Sequence, residues 1–159
     1  MDMYRKHILS FLTIIFIFII DRISKLLIIN SSETYEQYGL SVTPFLNFNL
    51  IWNEGIAFGF FSFDEKVYYN LLTVIIFLII SILIWMMIKS KSYEKFCFLM
   101  IIGGSLGNIF DRIYYSAVPD FIDIHINNFH WFIFNVADIF ISIGIIFLIS
   151  FEIFGKKTR

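Results

Sequence analysis

An aspartate lies inside the most apolar stretch of the sequence, where a charged side chain is unfavourable. Asp138 belongs to the run FNVADIFISIGIIFLISF, residues 134–151. A carboxylate near the centre of a membrane helix costs about 2.5–3.5 kcal/mol on insertion scales. No basic residue stands three or four positions away to neutralise it within a helix. Asp138 therefore needs partners from elsewhere in the chain, or it holds a proton.

The segment before this run supplies two more carboxylates, Asp120 and Asp123. Two carboxyl groups that share a site cannot both ionise readily, so the pKa of one rises while that of the other stays low. Such a pair can work as general acid and general base near neutral pH, which is worth about 10²–10⁴ in rate. This pattern predicts hydrolysis of a peptide bond at a membrane surface. The spacing leaves open whether Asp120 or Asp123 is the partner of Asp138.

Two other hydrolytic sites are compatible with some of these residues. Residues 103–107, GGSLG, match the G-x-S-x-G pattern of a serine nucleophile, and His125 or His130 could activate a serine. That pattern requires a strand, a sharp turn and then a helix, whereas here it follows an apolar run typical of a helix. The two histidines, in HINNFH, lack the H-E-x-x-H spacing of a zinc peptidase. We therefore expect no metal site.

The composition places these residues in a membrane protein. Of the 159 residues, 58% are hydrophobic and only 16% are charged, against about half and about a quarter in soluble domains. A span needs roughly 17–25 residues, and four apolar runs approach or reach that length, at about 8–29, 67–88, 96–111 and 132–154. We predict one integral membrane domain, residues 1–159, that is all-α with four transmembrane helices.

Basic residues predict the orientation of these helices, because cytoplasmic loops are rich in lysine and arginine. Eight such residues flank one end of the four spans: Arg5, Lys6, Lys89, Lys91, Lys95, Lys156, Lys157 and Arg159. The opposite side has only Lys66 and Arg112. Both termini should therefore be cytoplasmic.

This orientation brings polar residues of three spans to one level, just below the outer surface. They are Asp21 and Lys25 in the first span, Asn108, Asp111 and Arg112 in the third, and Asn135 and Asp138 in the fourth. Asp21 and Lys25 are spaced i,i+4 with the acid first, the favourable order for a helix ion pair, so a structural role is the simpler interpretation. An ion or proton translocator would spread its carboxylates through the membrane depth. Their gathering at one level favours a hydrolase.

The long outer loop, residues 30–66, has the pattern of a strand followed by an interfacial segment. Apolar and polar residues mostly alternate across 46–53, which is typical of a strand, and Pro44 marks its start. The aromatics that follow suit the headgroup region of a bilayer; they are Phe58, Phe60, Phe61 and Phe63. We predict a small extracytoplasmic β-sheet and an interfacial loop or helix.

Five segments resemble, in order and spacing, the motifs of one known family. They are residues 21–25 (DRISK), 53–58 (NEGIAF), 103–112 (GGSLGNIFDR), 118–121 (VPDF) and 134–138 (FNVAD). The family is lipoprotein signal peptidase, the signal peptidase II of bacteria, and the resemblance covers essentially the whole chain. One departure is Ile56, where the family usually has alanine.

The resemblance implies an aspartic endopeptidase with four transmembrane helices in the bacterial cytoplasmic (inner) membrane. Such an enzyme removes the signal peptide from prolipoproteins by cleaving just before a cysteine that carries diacylglycerol. The resemblance implies no metal or other cofactor and no nucleic-acid partner. Its implied partners are the lipidated substrates, membrane lipid and the cyclic peptide inhibitor globomycin. The aromatic outer loop would then close over the lipidated chain as a lid.

The resemblance also assigns roles to individual residues. It implies Asp120 and Asp138 as the catalytic pair, and so favours Asp120 over Asp123. Residues matching positions that support the site are Asn108, Asp111, Arg112 and Asn135. Residues matching structural or substrate-contact positions are Asp21, Lys25, Asn53, Gly55 and Gly104.

Overall fold

The structure is a computed structural model that describes residues 3–32, 40–55, 66–90, 92–127 and 129–155. Within these ranges the chain forms α1 Met3–Ser32, β1 Leu40–Thr43, β2 Leu46–Asn53, α2 Lys66–Lys89, α3 Ser92–Tyr115, β3 Val118–Ile126, β4 Phe129–Phe134 and α4 Val136–Gly155. The helices pack into a bundle. The strands form one sheet at the end of the bundle where α3 leads into β3 and β4 leads into α4.

Three helical segments in the described part of the chain are long and apolar enough to cross a membrane: Leu71–Lys89, Tyr93–Tyr115 and Val136–Phe154. The first and third leave most of their large apolar side chains exposed, as expected of helices surrounded by lipid. α1 is 30 residues long, about 45 Å at 1.5 Å per residue. One half of α1 carries Asp21, Arg22 and Lys25, and α1 is not among these three segments. That α1 crosses the membrane, and that the protein therefore has four spans, stays a prediction.

α3 is the central helix, packed against α1, α2 and α4, and its middle is largely buried. Its glycines permit the close approach. A Cβ on Gly104 would strike the backbone carbonyl of Ala137 on α4, and a Cβ on Gly107 would strike the carboxylate of Asp21 on α1. The third apolar run, expected to span 96–111, is in fact a 24-residue helix. Its small and polar residues reflect burial inside the protein rather than a short span.

The sheet is antiparallel, with strand order β1-β2-β3-β4. The strand predicted at 46–53 is confirmed as β2, whereas β1, β3 and β4 were not predicted individually. Ser116, with φ 57°, lies between α3 and β3, and Asn127, with φ 53°, lies between β3 and β4. These left-handed residues reverse the chain sharply, so that β3 returns across the end of α3.

The fourth helix begins later than the apolar run predicted at 132–154. β4 occupies Phe129–Phe134 and α4 starts at Val136. Periodicity does not separate a short apolar strand from a buried helix, although the aromatic composition of FHWFIF favours a strand. The predicted interfacial aromatics, the lid and Ile56 fall within residues 56–65, outside the described residues. The single domain of residues 1–159 stays a prediction.

Gly104→Ala should destabilise the protein by about 1–3 kcal/mol, the usual cost of overpacking, because the new methyl group meets the backbone of α4. The measurement is thermal unfolding in detergent, monitored through tryptophan fluorescence. Ser105→Ala is the matched control, since Ser105 lines a cavity between α2, α3 and α4. Equal unfolding temperatures for Gly104→Ala and the wild type would contradict the close α3–α4 contact.

Candidate active site

A buried lysine connects the two helices that carry most of the charge. The Lys25 ammonium group on α1 donates to Asp21 Oδ2 at 2.8 Å, to Asn108 Oδ1 at 2.9 Å and to Asp111 Oδ2 at 2.7 Å. Its side chain is fully buried. An ammonium group has three hydrogens to donate, and three acceptors surround it here. Lys25 is therefore fully satisfied and fixed in position.

A second cation completes this charge cluster, which we define as Asp21, Arg22, Lys25 and Asp111. The Arg22 guanidinium forms salt bridges with Asp111 and, at 3.6 Å, with Asp21. It also lies over the ring of Phe110, 5.0 Å from the centroid. Two buried cations thus oppose two buried anions. The balance of charge matters, because removing one partner of a buried ion pair costs about 3–5 kcal/mol.

Asp21 also ties the cluster to the start of α4. Its Oδ1 accepts a hydrogen bond at 2.9 Å from the backbone N–H of Ala137. This N–H belongs to the first turn of α4, where backbone donors have no partner within the helix. One carboxylate oxygen of Asp21 therefore faces Lys25 and the other holds the N-terminus of α4.

Asp138 lies in the first turn of α4, rather than in the middle of a membrane helix. It forms a reciprocal capping arrangement with Asn135: the Asp138 N–H donates to Asn135 Oδ1 at 3.1 Å, and the Asn135 N–H donates to Asp138 Oδ2 at 3.1 Å. This is the geometry of a capping box. The positive end of the helix dipole also favours a carboxylate there. These interactions explain why a carboxylate is stable at the start of an apolar helix.

Asn108 links Asp138 to the charge cluster. Its Oδ1 accepts from Lys25, and its Nδ2 donates to Asp138 Oδ1 at 2.9 Å. The ammonium group has no acceptor, so the amide oxygen must face Lys25. The amide N–H₂ is thereby directed at Asp138.

Asp120, on β3, receives amide donors from both sides. Asn135 Nδ2 donates to its Oδ1 at 2.6 Å, and Asn53 Nδ2 donates to its Oδ2 at 2.9 Å. Asn53 is itself anchored, because its Oδ1 accepts from the Gly55 N–H at 3.0 Å. Asn135 therefore contacts both Asp120 and Asp138, which we call the acid pair.

Burial raises the pKa of Asp120 from its ordinary value of 3.8 to about 6, and the nearby Asp138 carboxylate adds to this rise. The hydrogen bonds from Asn53 and Asn135, together with the Lys25 charge, act in the opposite direction. Because the charge of Asp138 acts on the pKa of Asp120, the two carboxyl groups titrate as a pair. The arrangement supports an acid pair that keeps one proton up to about pH 6.

Arg112 joins the sheet to α3. Its Nη2 donates to the Gly55 carbonyl at 3.3 Å and its Nη1 donates to the Asn108 carbonyl at 3.2 Å. Gly55 follows β2, and its N–H holds Asn53. Arg112 thus fixes the chain segment that positions the Asn53 amide against Asp120.

Described residues line two largely apolar cavities that open beside Asp138. One, of about 590 Å³, lies between α2, α3 and α4 and includes Ser105, Asn108 and Arg112 in its lining. The other, of about 380 Å³, lies between α4 and the β3–β4 side of the sheet, and Phe132 and Ile143 are among its walls. An apolar ligand could therefore approach Asp138 from either side.

Comparisons with known proteins identify the family of the chain. The sequence model of the family described as Signal peptidase (SPase) II matches residues 13–154. The chain belongs to the signal peptidase II family. It is therefore a membrane aspartic endopeptidase of lipoprotein processing. This membership decides against the serine peptidase and the ion translocator that the residues alone left open.

Individual relatives and structures match nearly the full length of the peptidase. It is 51% identical to the lipoprotein signal peptidase of Pelagibacter ubique (strain HTCC1062), over 98% of this chain and 95% of that protein. It is 39% identical to the lipoprotein signal peptidase of Anaplasma phagocytophilum (strain HZ), over 94% of each. A solved structure described as a bacterial membrane enzyme at 2.3 Å resolution matches with TM-score 0.74 and 28% identity, covering 94% of this chain and 91% of that one. The peptidase is a multi-pass membrane protein.

The structure brings the site residues expected from sequence into one connected set. Hydrogen bonds, ion pairs or backbone contacts join Asp21, Lys25, Asn53, Gly55, Gly104, Asn108, Asp111, Arg112, Asp120, Asn135 and Asp138. Asp123 instead contacts Asn49 and His130. Ser105 lies within the α3 helix, so the strand and turn of a serine nucleophile are missing around it. In the described part of the chain, no three His, Cys, Asp or Glu side chains are placed to hold a metal ion.

Sequence reasoning missed how Asp138 is held. Asn135 and Asp138 stand three residues apart just before the apolar run, the spacing of a capping box, and this signal could have located the helix start. It also missed the salt bridges of Arg22 and the N–H of Ala137 as a partner of Asp21. These contacts join residues that are distant in sequence, so no local sequence pattern predicts them.

Lys25→Met should lower the free energy of unfolding by about 3–5 kcal/mol, because Asp21 and Asp111 would be left buried beside unequal positive charge. Peptidase activity should also fall, since Asn108 loses the group that orients its amide. Unfolding in detergent and substrate cleavage measure the two effects. Lys89→Met is the matched control: Lys89 is exposed on α2 over the ring of Trp85, and its loss should change stability by less than about 0.5 kcal/mol. Equal losses in both variants would contradict the proposed role of Lys25.

Proposed function

We propose that this peptidase cleaves diacylglyceryl-modified prolipoproteins just before the lipidated cysteine, and that Asp120 and Asp138 activate the attacking water. The observation that carries the proposal is the double contact of Asn135. Its side chain donates to Asp120 and its backbone N–H donates to Asp138. One residue therefore contacts both carboxyl groups and keeps them at one site.

The proposed chemistry conserves protons through two steps. In the first, the ionised carboxylate takes a proton from water, the water oxygen bonds to the peptide carbon, and the protonated carboxyl group gives its proton to the carbonyl oxygen. In the second, the carboxyl group that took the water proton gives it to the amide nitrogen and the C–N bond breaks, while the other carboxylate takes a hydroxyl proton from the tetrahedral intermediate and leaves the new carboxyl end. The pair ends with one proton, as it began. No metal or other cofactor enters these steps.

The asparagines would keep this pair in place while its charge moves from one acid to the other. Asn53 and Asn135 donate amide hydrogens to Asp120, and Asn108 donates one to Asp138. Each carboxyl group therefore has an amide donor when it is ionised. Each asparagine is anchored through its oxygen, so none has to reorient during the reaction. Fixed donors of this kind stabilise developing charge without a reorganisation cost.

The surroundings of Asp138 suit a substrate with two apolar parts. Cavities of about 590 Å³ and about 380 Å³ open beside it, with mainly apolar walls. A prolipoprotein offers an apolar signal peptide on one side of the scissile bond and acyl chains on the other. Because each buried CH₂ of a lipid is worth about 0.8 kcal/mol, such a substrate is best cleaved within the membrane boundary.

The distribution of basic residues supports a location for the site. Along the sequence, lysines and arginines concentrate before the first predicted span, between the second and third, and after the fourth, which the positive-inside rule assigns to the cytoplasm. We therefore infer cytoplasmic termini, four crossings including α1, and an acid pair near the outer leaflet of the bacterial inner membrane. The family resemblance implies that globomycin inhibits the enzyme and that nucleic acid is not a partner.

Asp120→Asn and Asp138→Asn should each lower cleavage of a diacylglyceryl-modified propeptide by at least about 10²-fold, the usual worth of a general acid or base. The assay uses purified enzyme in detergent or lipid, and the unfolding temperature verifies that each variant is folded. Ser105→Ala is the control and should retain activity. Cleavage at the wild-type rate by either folded aspartate variant would remove the acid pair from the mechanism.

The pH dependence of kcat/KM should show an alkaline limb governed by Asp120. Asp120 loses its proton as the pH rises through about 6, and the pair then lacks the proton that the carbonyl oxygen needs. The hydrogen bond from Asn53 lowers the pKa of Asp120. Its removal in Asn53→Ala should raise that pKa and move the limb to higher pH. A limb that stays in place would mean that Asn53 does not act on the ionised form of Asp120.

A further inference from the structure

A third acid of the sheet is buried outside the acid pair and has its own partners. The Asp123 side chain on β3 is 1% exposed. Its Oδ2 accepts from Asn49 Nδ2 on β2 at 3.0 Å, and its carboxylate contacts His130 Nδ1 on β4 at 2.9 Å. Since a carboxylate only accepts, the His130 Nδ1 must carry the hydrogen. One side chain thus joins the three strands around the acid pair.

The first of these contacts reaches an irregularity between β2 and β3. Phe48 pairs with Ile122 and Ile51 pairs with Asp120, so three steps along β2 match two steps along β3. β2 therefore contains one extra residue at this point, which is a β-bulge. Asn49 lies in the bulged stretch and donates to Asp123 from there.

The second contact crosses an irregularity between β3 and β4. Asp123 pairs with Ile133 and His125 pairs with His130, so three steps along β4 match two steps along β3. β4 contains the extra residue here. The Asp123–His130 contact joins the two ends of this bulge diagonally. Asp123 is therefore held between two bulges, one on each neighbouring strand.

Both irregularities lie next to the segments that carry the acid pair. Asp120 is three residues before Asp123 on β3, and β4 runs directly into Asn135 and the first turn of α4. A strand advances about 3.3 Å per residue, so a slip of one residue at either bulge would exceed the reach of a hydrogen bond. The register at Asp123 thus decides whether Asp120 meets Asn53 on one side and Asn135 on the other.

We propose that Asp123, clamped by Asn49 and His130, is a positioning residue that fixes the strand register and thereby the geometry of the acid pair. The proposal rests on the proposed function, because it assigns Asp123 an effect on cleavage through Asp120 and Asp138. It differs from a catalytic role, since the Asp123 carboxylate is occupied by strand contacts. β-Bulges near active sites commonly direct a side chain in this way.

Two neighbouring histidines provide a matched comparison. His125 stacks on His130 with ring centroids 5.0 Å apart, and the His125 ring nitrogens have no hydrogen-bond partner among the described residues. His130→Phe keeps an aromatic ring but removes the donor to Asp123, whereas His125→Phe removes no hydrogen bond. His130→Phe should lower kcat by about 10–100-fold, the range expected for misplacement of reacting groups, with KM changed less than about twofold. His125→Phe should match the wild type in both.

The pH profile separates a loss of positioning from a general loss of folded enzyme. A displaced β4 alters both the effect by which Asp138 raises the pKa of Asp120 and the Asn135 hydrogen bond that lowers it. His130→Phe should therefore move the alkaline limb of kcat/KM away from its wild-type position. A smaller amount of correctly folded enzyme would lower the rate at every pH and leave the limb in place, which would overturn the proposal.

An exchange of the two facing side chains tests the clamp by rescue. Asn49→Asp places a second carboxylate against Asp123, so the contact becomes repulsive and kcat should fall. Adding Asp123→Asn restores one donor and one acceptor across β2 and β3, and the new amide oxygen at position 123 can still accept from His130. The double variant should recover most of the kcat lost in Asn49→Asp. A double variant no better than Asn49→Asp would overturn the proposal.

Asp120→Asn in the same series separates the two proposals. If folded Asp120→Asn cleaves at the wild-type rate, the acid pair is wrong. If Asp120→Asn is inactive while His130→Phe and His125→Phe give equal kcat, the acid pair stands and the clamp is wrong. If Asp123→Asn is as inactive as Asp120→Asn and the exchange does not restore activity, Asp123 acts in the chemistry and the positioning role is wrong.

Discussion

Each carboxyl group of the acid pair receives hydrogen bonds from asparagine amides whose oxygen is already committed to a fixed donor. The Asn108 oxygen faces the Lys25 ammonium, which has no acceptor, so its N–H₂ must face Asp138. The Asn135 oxygen accepts from a backbone N–H and its N–H₂ faces Asp120. An amide has one donor end and one acceptor end. Fixing the oxygen of an amide therefore fixes the direction of its N–H₂. The hydrogen bonds that the acid pair receives are in this way set by groups farther away, such as the Lys25 ammonium.

This dependence explains why a membrane protein keeps a buried charge cluster. A buried ion pair seldom adds stability over a well-packed apolar alternative, and here Lys25 and Asp111 are completely buried. These charged residues instead set the orientation of the Asn108 amide. A lysine with three acceptors around it defines which way an amide must turn, and Asp21 extends the same control to the backbone of α4. An apolar replacement could fill the volume but could not set that direction.

The sequence predicted the helical fold and a strand at 46–53, and it indicated a group of polar residues at one level, because apolar runs and acids in apolar surroundings are local signals. It did not locate the start of α4, since FHWFIF is apolar enough to continue a helix. Nor did it indicate the contact between Asp21 and the Ala137 N–H, which joins residues 116 positions apart. The assignment of Asp120 as the partner of Asp138 came from family resemblance, because spacing in the sequence does not separate it from Asp123.

Asp120 and Asp123 lie on the same strand but have separate hydrogen-bond partners. Asp120 pairs with Ile51 of β2 but lies beyond the last residue pair between β3 and β4, and its donors are Asn53 at the end of β2 and Asn135 just after β4. Asp123 lies where both neighbouring strands still pair with β3, so its partners belong to the sheet. The Asp120 carboxylate therefore meets the residue that begins α4, where Asp138 lies, whereas the Asp123 carboxylate meets residues of the neighbouring strands. Position along β3, rather than residue type, places one acid beside Asp138 and the other between the strands.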